Sequence, residues 1–560
     1  MPRDDFPDIP DKTDTADTPD TGGSADDAPE PAARPRARRL GGVLAAVVLV
    51  AAGGGLVSAT ALTPQGPGSS RPIAAPLAAV PAGSSVGVCP GPARLLEGAS
   101  VGADPQFSPV SASARSDVSA LVLGSGSGVL PGSRLASLTG TTLVEVAQAA
   151  PASEGPAPAR PAAAAPLAGV VAQRGVDDVT VLSADAQAGR QPSAGALMRY
   201  TAEDGDLRGS AAAACQQPGN DLWLVGANTA LGRTAVLKLS NDSGSPATVS
   251  LELFGAEGLI QAPGSRGLLV APGTTRSVIL AGLAPGQERL SVRVRSAGGP
   301  VAAHIQQSVL RGLTPGGVEF IAPAAAPALR QVITGVDIQD PAGLAGLTSQ
   351  AGFADAGPAL QLTVPGSADA VIAIKVFGRD GQKALPGGGV VTAKAGSVTE
   401  VPLAGVPAGP YTVSVSSDVS FTAAARVTRG LTATDASDFA WSPASARLGS
   451  QHVVPVPGSG DRYLIFGAPE GRATISYTPV TADGKIHAAA AADIAGGTTA
   501  SIKVPADVAG SQLVGYLVSA AGDPAYGAVL LQQDGKQDIS TIAVAPGAAG
   551  QEQVPVTLGY

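Results

Sequence analysis

The chain is 560 residues long and carries 36 Lys and Arg against 45 Asp and Glu, a formal net charge of -9 at pH 7. That balance excludes nucleic acid as a partner, because nucleic-acid binding requires a concentrated basic face. Charged residues are 14% of the chain and aromatics 3%, against about 25% charge in an ordinary domain, so the exterior is built largely from Ser, Thr, Gly, Ala and Gln.

Residues 1–39 set Asp4, Asp5, Asp8, Asp11, Asp14, Asp17, Asp20, Asp26 and Asp27 among Pro, Thr and Gly. Such a segment buries too little to offset its ordering entropy and reads as a disordered cytoplasmic tail. Arg34, Arg36, Arg38 and Arg39 then precede residues 40–62, an apolar run of 23 residues without a charge. This run is long enough to cross a hydrocarbon core of ~30 Å, and the Arg cluster keeps its near end cytoplasmic. The pattern predicts a single-pass signal anchor in the cell membrane, with the bulk of the chain extracytoplasmic. Ala59-Thr60-Ala61 also fits the small-x-small pattern of a signal peptidase site, which leaves a cleaved signal as the rival.

Residues 63–81 are a Pro/Gly/Ser-rich linker that would hold the rest of the chain off the membrane. Residues 82–219 read as a divergent N-terminal β-domain, with candidate strands at Ala120–Leu123, Thr141–Ala147 and Val179–Ala184 and a low-complexity insertion at 149–166. Past Trp223 the chain repeats itself. Val249–Gly258 (VSLELFGAEG) matches Ile372–Gly381 (IAIKVFGRDG), and Leu280–Gly286 matches Leu403–Gly409. Both matches lie at one offset of 123 residues, and the two copies close with Arg311-Gly312 and Arg429-Gly430. A weaker third copy starts at Ala473. Within each copy the apolar period is two: Val249, Leu251 and Leu253 alternate with Ser250 and Glu252, and Ile372, Ile374 and Val376 with Ala373 and Lys375. That is the pattern of antiparallel strands with one face buried and one wet. Asp380-Gly381 and Asp483-Gly484 are turn signals, and Pro479 demands an edge or a bulge for its strand. The fold class expected is mainly β, with tandem immunoglobulin-like β-sandwich modules at 220–330, 331–446 and 447–560.

At TAVLKLSNDSGSPATVSLELFGAEG, VAPGTTRSVILAGL and VRVRSAGGPVAAHIQQS, the chain resembles a family of actinobacterial envelope proteins catalogued only as a domain of unknown function. The resemblance covers roughly Thr63 to Tyr560. It implies a plan of cytoplasmic tail, one membrane pass, an early cysteine, a later cysteine shortly before a Trp-containing strand, and β-modules, here placing Cys89, Cys215 and Trp223. It also implies a link to envelope glycans, and it offers no catalytic residue.

An even cysteine count in an exported chain reads as one structural disulfide, Cys89–Cys215, with Ser210–Ala214 expected beside Ser85–Val88. His304, His452 and His487 lie in three separate stretches. His304 alternates with the apolar residues of its strand and is expected on a solvated face. Gly83–Gly87 spells G-x-S-x-G, but a Pro-rich linker precedes it and Pro90 follows, which is not the strand-to-helix setting of a nucleophile elbow. Glu252, Glu257, Glu288 and Asp380 are expected on strand exteriors and turns. Of the few aromatics, Tyr463 and Tyr477 are the ones that could stack on a sugar, being near Gly/Pro turns. No catalytic, cofactor-binding or metal-binding residue stands out.

The sequence therefore points to a non-enzymatic, membrane-anchored envelope protein acting as a scaffold or binding platform, with envelope proteins or glycans as partners. The alternative is a carbohydrate-binding accessory in envelope polysaccharide assembly, with a secreted hydrolase behind it. N-terminal sequencing of the mature protein is expected to find Leu40–Leu62 retained; a mature N-terminus at Leu62 would identify the segment as a cleaved signal.

Overall fold

The computed structural model describes residues 83–96, 108–124, 129–148, 168–187, 191–434, 436–533 and 536–547, together with the paired short strands Leu77–Ala79 and Gln553–Pro555. The tail at 1–39, the apolar run at 40–62, most of the linker at 63–81 and the insertion at 149–166 lie outside the described residues. Among the described residues no helix is long and apolar enough to cross a membrane.

The protein is mainly β, as the two-residue period requires. Its sheets come in four successive pairs. In the first, Ala168–Gly175, Arg115–Leu123, Ala194–Ala202 and Gly209–Ala214 form one sheet; Ser85–Cys89, Thr180–Ala184, Ser133–Ser137 and Thr142–Ala147 form its partner. The second pair places Thr274–Ile279, Arg233–Asn241, Ala302–Arg311 and Thr314–Ile321 against a sheet built on Asp221–Ala227, Leu290–Gly298 and Ala247–Gly255. The third is bridged by the 21-residue strand Gly409–Arg429. Its first half pairs with Ala328–Ile338 and Ala370–Gly378, and its second half with Ala359–Thr363 and Asp438–Pro443. The fourth sets Thr498–Lys503, Asp461–Ala468, Tyr526–Gln532 and Ile539–Ala543 against His452–Pro455, Ser511–Gly522, Ala473–Thr481 and Ala490–Ile494.

The expected inward positions are buried: Val249, Leu251, Ile372, Ile374 and Ile475 are at most 4% exposed, with Tyr477 half-buried and Lys375 exposed. Pro479 sits past the end of the ladder that its strand makes with Ala490–Ile494, beside a bulge at Val480/Thr481. Its missing N–H therefore costs no bond on that side.

The pairs close on one another in a ring. Val88, Val179 and Val181 of the first pack on Ala302 of the second; Trp223 and Phe254 of the second pack on Val398 of the third. Ile333 and Val413 of the third share a core with Ile465 and Leu530 of the fourth. Leu121 and Ala168 of the first join Val453, Val480 and Val514 of the fourth. This closure corrects the expectation for His304. Its strand face is covered by the preceding sheet pair, so His304 is buried, with its ring edge-on to Phe320 at 5.5 Å. Burial, helped by Lys238, pushes its pKa down to about 3. The strand Gly209–Ala214 likewise pairs with Ala194–Ala202 rather than beside Ser85–Val88; Gln216 alone bridges to Val88. Cys89 and Cys215 are joined by a disulfide next to that bridge.

At the centre of the ring the last strands of the four pairs, Gly209–Ala214, Thr314–Ile321, Asp438–Pro443 and Ile539–Ala543, pack successively against one another. Asp438, fully buried, accepts backbone N–H bonds from all four. Val318 (3.2 Å) and Phe439 (3.0 Å) donate to Oδ1; Ser210 (2.9 Å) and Ile539 (3.1 Å) donate to Oδ2. Gly209 and Gly317, at φ of 137° and 109°, clear the space: a Cβ on Gly317 would stand 2.3 Å from the Asp438 carboxylate. One layer along the axis Glu319, also fully buried, accepts from Phe320 N at 2.8 Å and from Ser540 Oγ at 3.1 Å.

Burial pushes the Glu319 and Asp438 carboxyls well above their ordinary range, against the pull of these donors. A carboxyl whose folded pKa is raised stabilises fully below its unfolded pKa and loses that contribution as pH rises through the folded one. The melting temperature is therefore expected to fall as pH rises above the ordinary carboxylate range. Glu319→Gln, which cannot ionise, should flatten that fall; equal slopes for the two proteins would refute the assignment.

Candidate functional site

The described residues enclose a polar pocket at the seam between the second and third sheet pairs. Three arginines reach it from different strands: Arg233 from Arg233–Asn241, Arg311 from the end of Ala302–Arg311, and Arg426 from the long strand Gly409–Arg429. Asp355 faces them from an excursion between Ala328–Ile338 and Ala359–Thr363, which carries the helix Pro341–Thr348. The excursion starts as its sequence dictates, with Asp340 capping Gly343 N and Pro341 in the first turn, where a missing N–H costs nothing. Leu347, Phe353 and Ala356 form its small core.

Arg233 grips Asp355 in a two-point fork, Nε to Oδ2 and Nη2 to Oδ1, both at 2.8 Å. Arg311 Nη1 reaches Oδ1 at 2.6 Å, and its guanidinium lies 4.5 Å from the Phe353 ring centre. Arg426 is held more loosely: Nη1 stands 3.5 Å from Glu400, Nη2 donates to Gly357 O at 3.2 Å, and the guanidinium lies 5.7 Å over Trp441. The three arginine side chains are 8–10% exposed. Burial alone would raise the Asp355 carboxyl, yet the Arg233 hydrogen bond and the Arg311 charge bring it down to about 2. Burial lowers the Arg311 pKa, with Arg233 and Arg426 pushing the same way and Asp355 opposing. The floor is fixed by Gly226, at φ 124°, whose backbone lies against the Trp441 indole; a Cβ there would come within 2.6 Å of the ring.

The residues singled out from sequence are elsewhere. Tyr463 packs partly buried against the core of the third pair with Lys503 near its ring, while Tyr477 packs edge-on to Tyr516 at 5.9 Å. The two lie on different sheets. His452 is buried between Gly449 N and Ala545 O, and His487 meets Thr481. Among the described residues no three His, Cys, Asp or Glu side chains converge as metal ligands would. The pocket arginines escaped sequence reading because charged residues on β-strands ordinarily face water. The one signal available was the Arg-Gly that closes each repeat copy, which marks Arg311.

A family model described as a family of unknown function (DUF5719) matches residues 170–505. No curated protein and no solved structure matches the chain.

Removing Asp355 leaves two nearly buried guanidinium groups without their carboxylate, a change that costs about 3 kcal/mol or more in comparable settings. Asp355→Ala is therefore expected to lower the melting temperature by several degrees, read by circular dichroism, with Asp355→Asn milder; an unchanged melt for Asp355→Ala would show that the excursion is docked by its apolar core alone.

Proposed function

The chain belongs to the DUF5719 family, and we propose that it is a non-enzymatic envelope protein, anchored by residues 40–62, whose extracytoplasmic β-structure is a rigid binding platform. The sheet pairs are read as immunoglobulin-like sandwiches joined side by side. Tyr411 supports this reading: at the start of its strand, it donates its hydroxyl to Pro407 O four residues upstream at 2.8 Å, the device of a tyrosine corner.

The observation that carries the platform reading is the seam pocket. Its charge comes from guanidinium groups that do not release protons at neutral pH, so it is suited to hold a ligand rather than to transfer a proton. It is built on strands of two sheet pairs, which makes its geometry stiffer than that of a loop site. The alternative of sugar stacking draws no support from Tyr463 and Tyr477, whose rings are committed to packing.

In intact cells, external protease is expected to reach the described part of the chain, and a photo-crosslinker at Leu313, two residues beyond Arg311 and exposed, should form an adduct with an envelope component. A chain protected from external protease, or a Leu313 probe that yields no intermolecular adduct, would overturn the platform reading.

A further inference from the structure

We infer that the seam pocket is a phosphoryl-binding site, with Arg311 and Arg426 as the groups that grip the anion. The inference rests on the platform reading and gives its ligand a chemistry. Three guanidinium groups converge there from three strands, each about nine-tenths buried. The carboxylates opposite them are fewer and already engaged. Asp355 spends both oxygens on Arg233 and Arg311, while Glu400 accepts from Gln361 Nε2 at 3.0 Å and stands 3.5 Å from Arg426. The pocket is left with a surplus positive charge.

The donor count points the same way. Nε of Arg311 and Nε of Arg426 are both shut off from solvent with no hydrogen-bond partner. A buried unmade bond to a charged donor is expensive, and a tetrahedral oxyanion has acceptors enough for both. Arginine is the residue whose planar fork matches phosphate in two-point geometry, and Asn228 and Thr428 add neutral polar groups to the lining. Trp441 and Phe439 line the same pocket and keep it low in dielectric, which strengthens an ion pair relative to water.

The rim is apolar. Leu231, two residues before Arg233, is fully exposed, and Leu313, two residues after Arg311, is 77% exposed. Both stand at the ends of the strands that carry the arginines. A phosphoryl group can arrive free, on a soluble phosphorylated sugar, or as the headgroup of an amphiphile, and these leucines are placed to meet the apolar part of the last.

The experiment is titration calorimetry on the full chain in an uncharged detergent, with inorganic phosphate in one arm and monomeric dihexanoyl phosphatidylglycerol in the other. Saturable binding is expected in at least one arm, weakened about tenfold or more by Arg426→Gln and partly restored by Arg426→Lys, with the circular dichroism melt as the check on folding. Binding of the lipid that also drops in Leu231→Ser and Leu313→Ser assigns the amphiphile; phosphate binding indifferent to those changes assigns the free phosphoryl group. The proposal is overturned if the wild type binds neither probe, or if Arg311→Gln and Arg426→Gln bind as the wild type does. Phosphate binding without an envelope adduct at Leu313 would sink the platform reading alone. An adduct that persists in Arg426→Gln with no phosphate binding in any variant would sink this assignment alone.

Discussion

A single carboxylate holds the four sheet pairs to one axis. Around the centre of the ring the four innermost strands turn backbone N–H groups toward each other with no further strand to receive them. Each would cost about 1–3 kcal/mol if left buried and unmade. Asp438 answers all four at once, with two N–H donors on each of its carboxyl oxygens. Its burial is costly, and the cost is offset by those four bonds and by Arg208, which donates to Ser437 O at 3.1 Å and pairs with Asp538 at 2.8 Å. The close approach of Gly209 and Gly317 to the carboxylate follows from the same constraint, since any side chain at either place would occupy the space that the strands need.

Closure of the ring explains the composition. A sheet in a free-standing sandwich has one wet face and is free to carry charge there. Here the axial sheets are covered on both sides, so the faces that read as polar are buried against the next pair and must find partners within the protein. Ser291 and Thr363 meet across one seam with hydroxyls 2.7 Å apart. Thr499 donates to Phe377 O across another at 2.7 Å, and Gln216 bonds both Ala303 N and Ala303 O across a third. Short neutral side chains pair in such seams without the desolvation penalty of ions, which is why Ser, Thr, Gln and Ala stand where a free sheet would carry Lys and Glu.

The strands were legible in the sequence because their period of two survives whether the second face meets water or protein. The repeat offset also placed Val249 and Ile372 correctly at equivalent buried positions. What the sequence could not show is the identity of that second surface. His304, Gln306 and Ala302 look like a wet face when only their own strand is considered, and they are buried because another sheet lies over them. The hub was hidden for a related reason: Asp438 and Glu319 are isolated acids in otherwise ordinary strands, and only the convergence of four distant strands gives them their role. The helix Pro341–Thr348 likewise lies where no copy of the repeat has a counterpart in the pattern.

That excursion is what makes one seam chemically different from its equivalent. The repeat copies close with matching arginines, Arg311 and Arg429. In the third pair Arg429 turns onto Asp337 of its own sheet pair, and Gln532 from the fourth pair donates to the same carboxylate at 2.8 Å, so that one carboxylate ties the two pairs together. In the second pair Arg311 takes Asp355 from the excursion of the next pair, in competition with Arg233. One carboxylate then serves two arginines, while Arg426 comes in from the third side with only a distant Glu400. An ion pair seals one seam, and at the other an arginine-rich pocket stands where a segment of some twenty residues joins two strands of the third sheet pair.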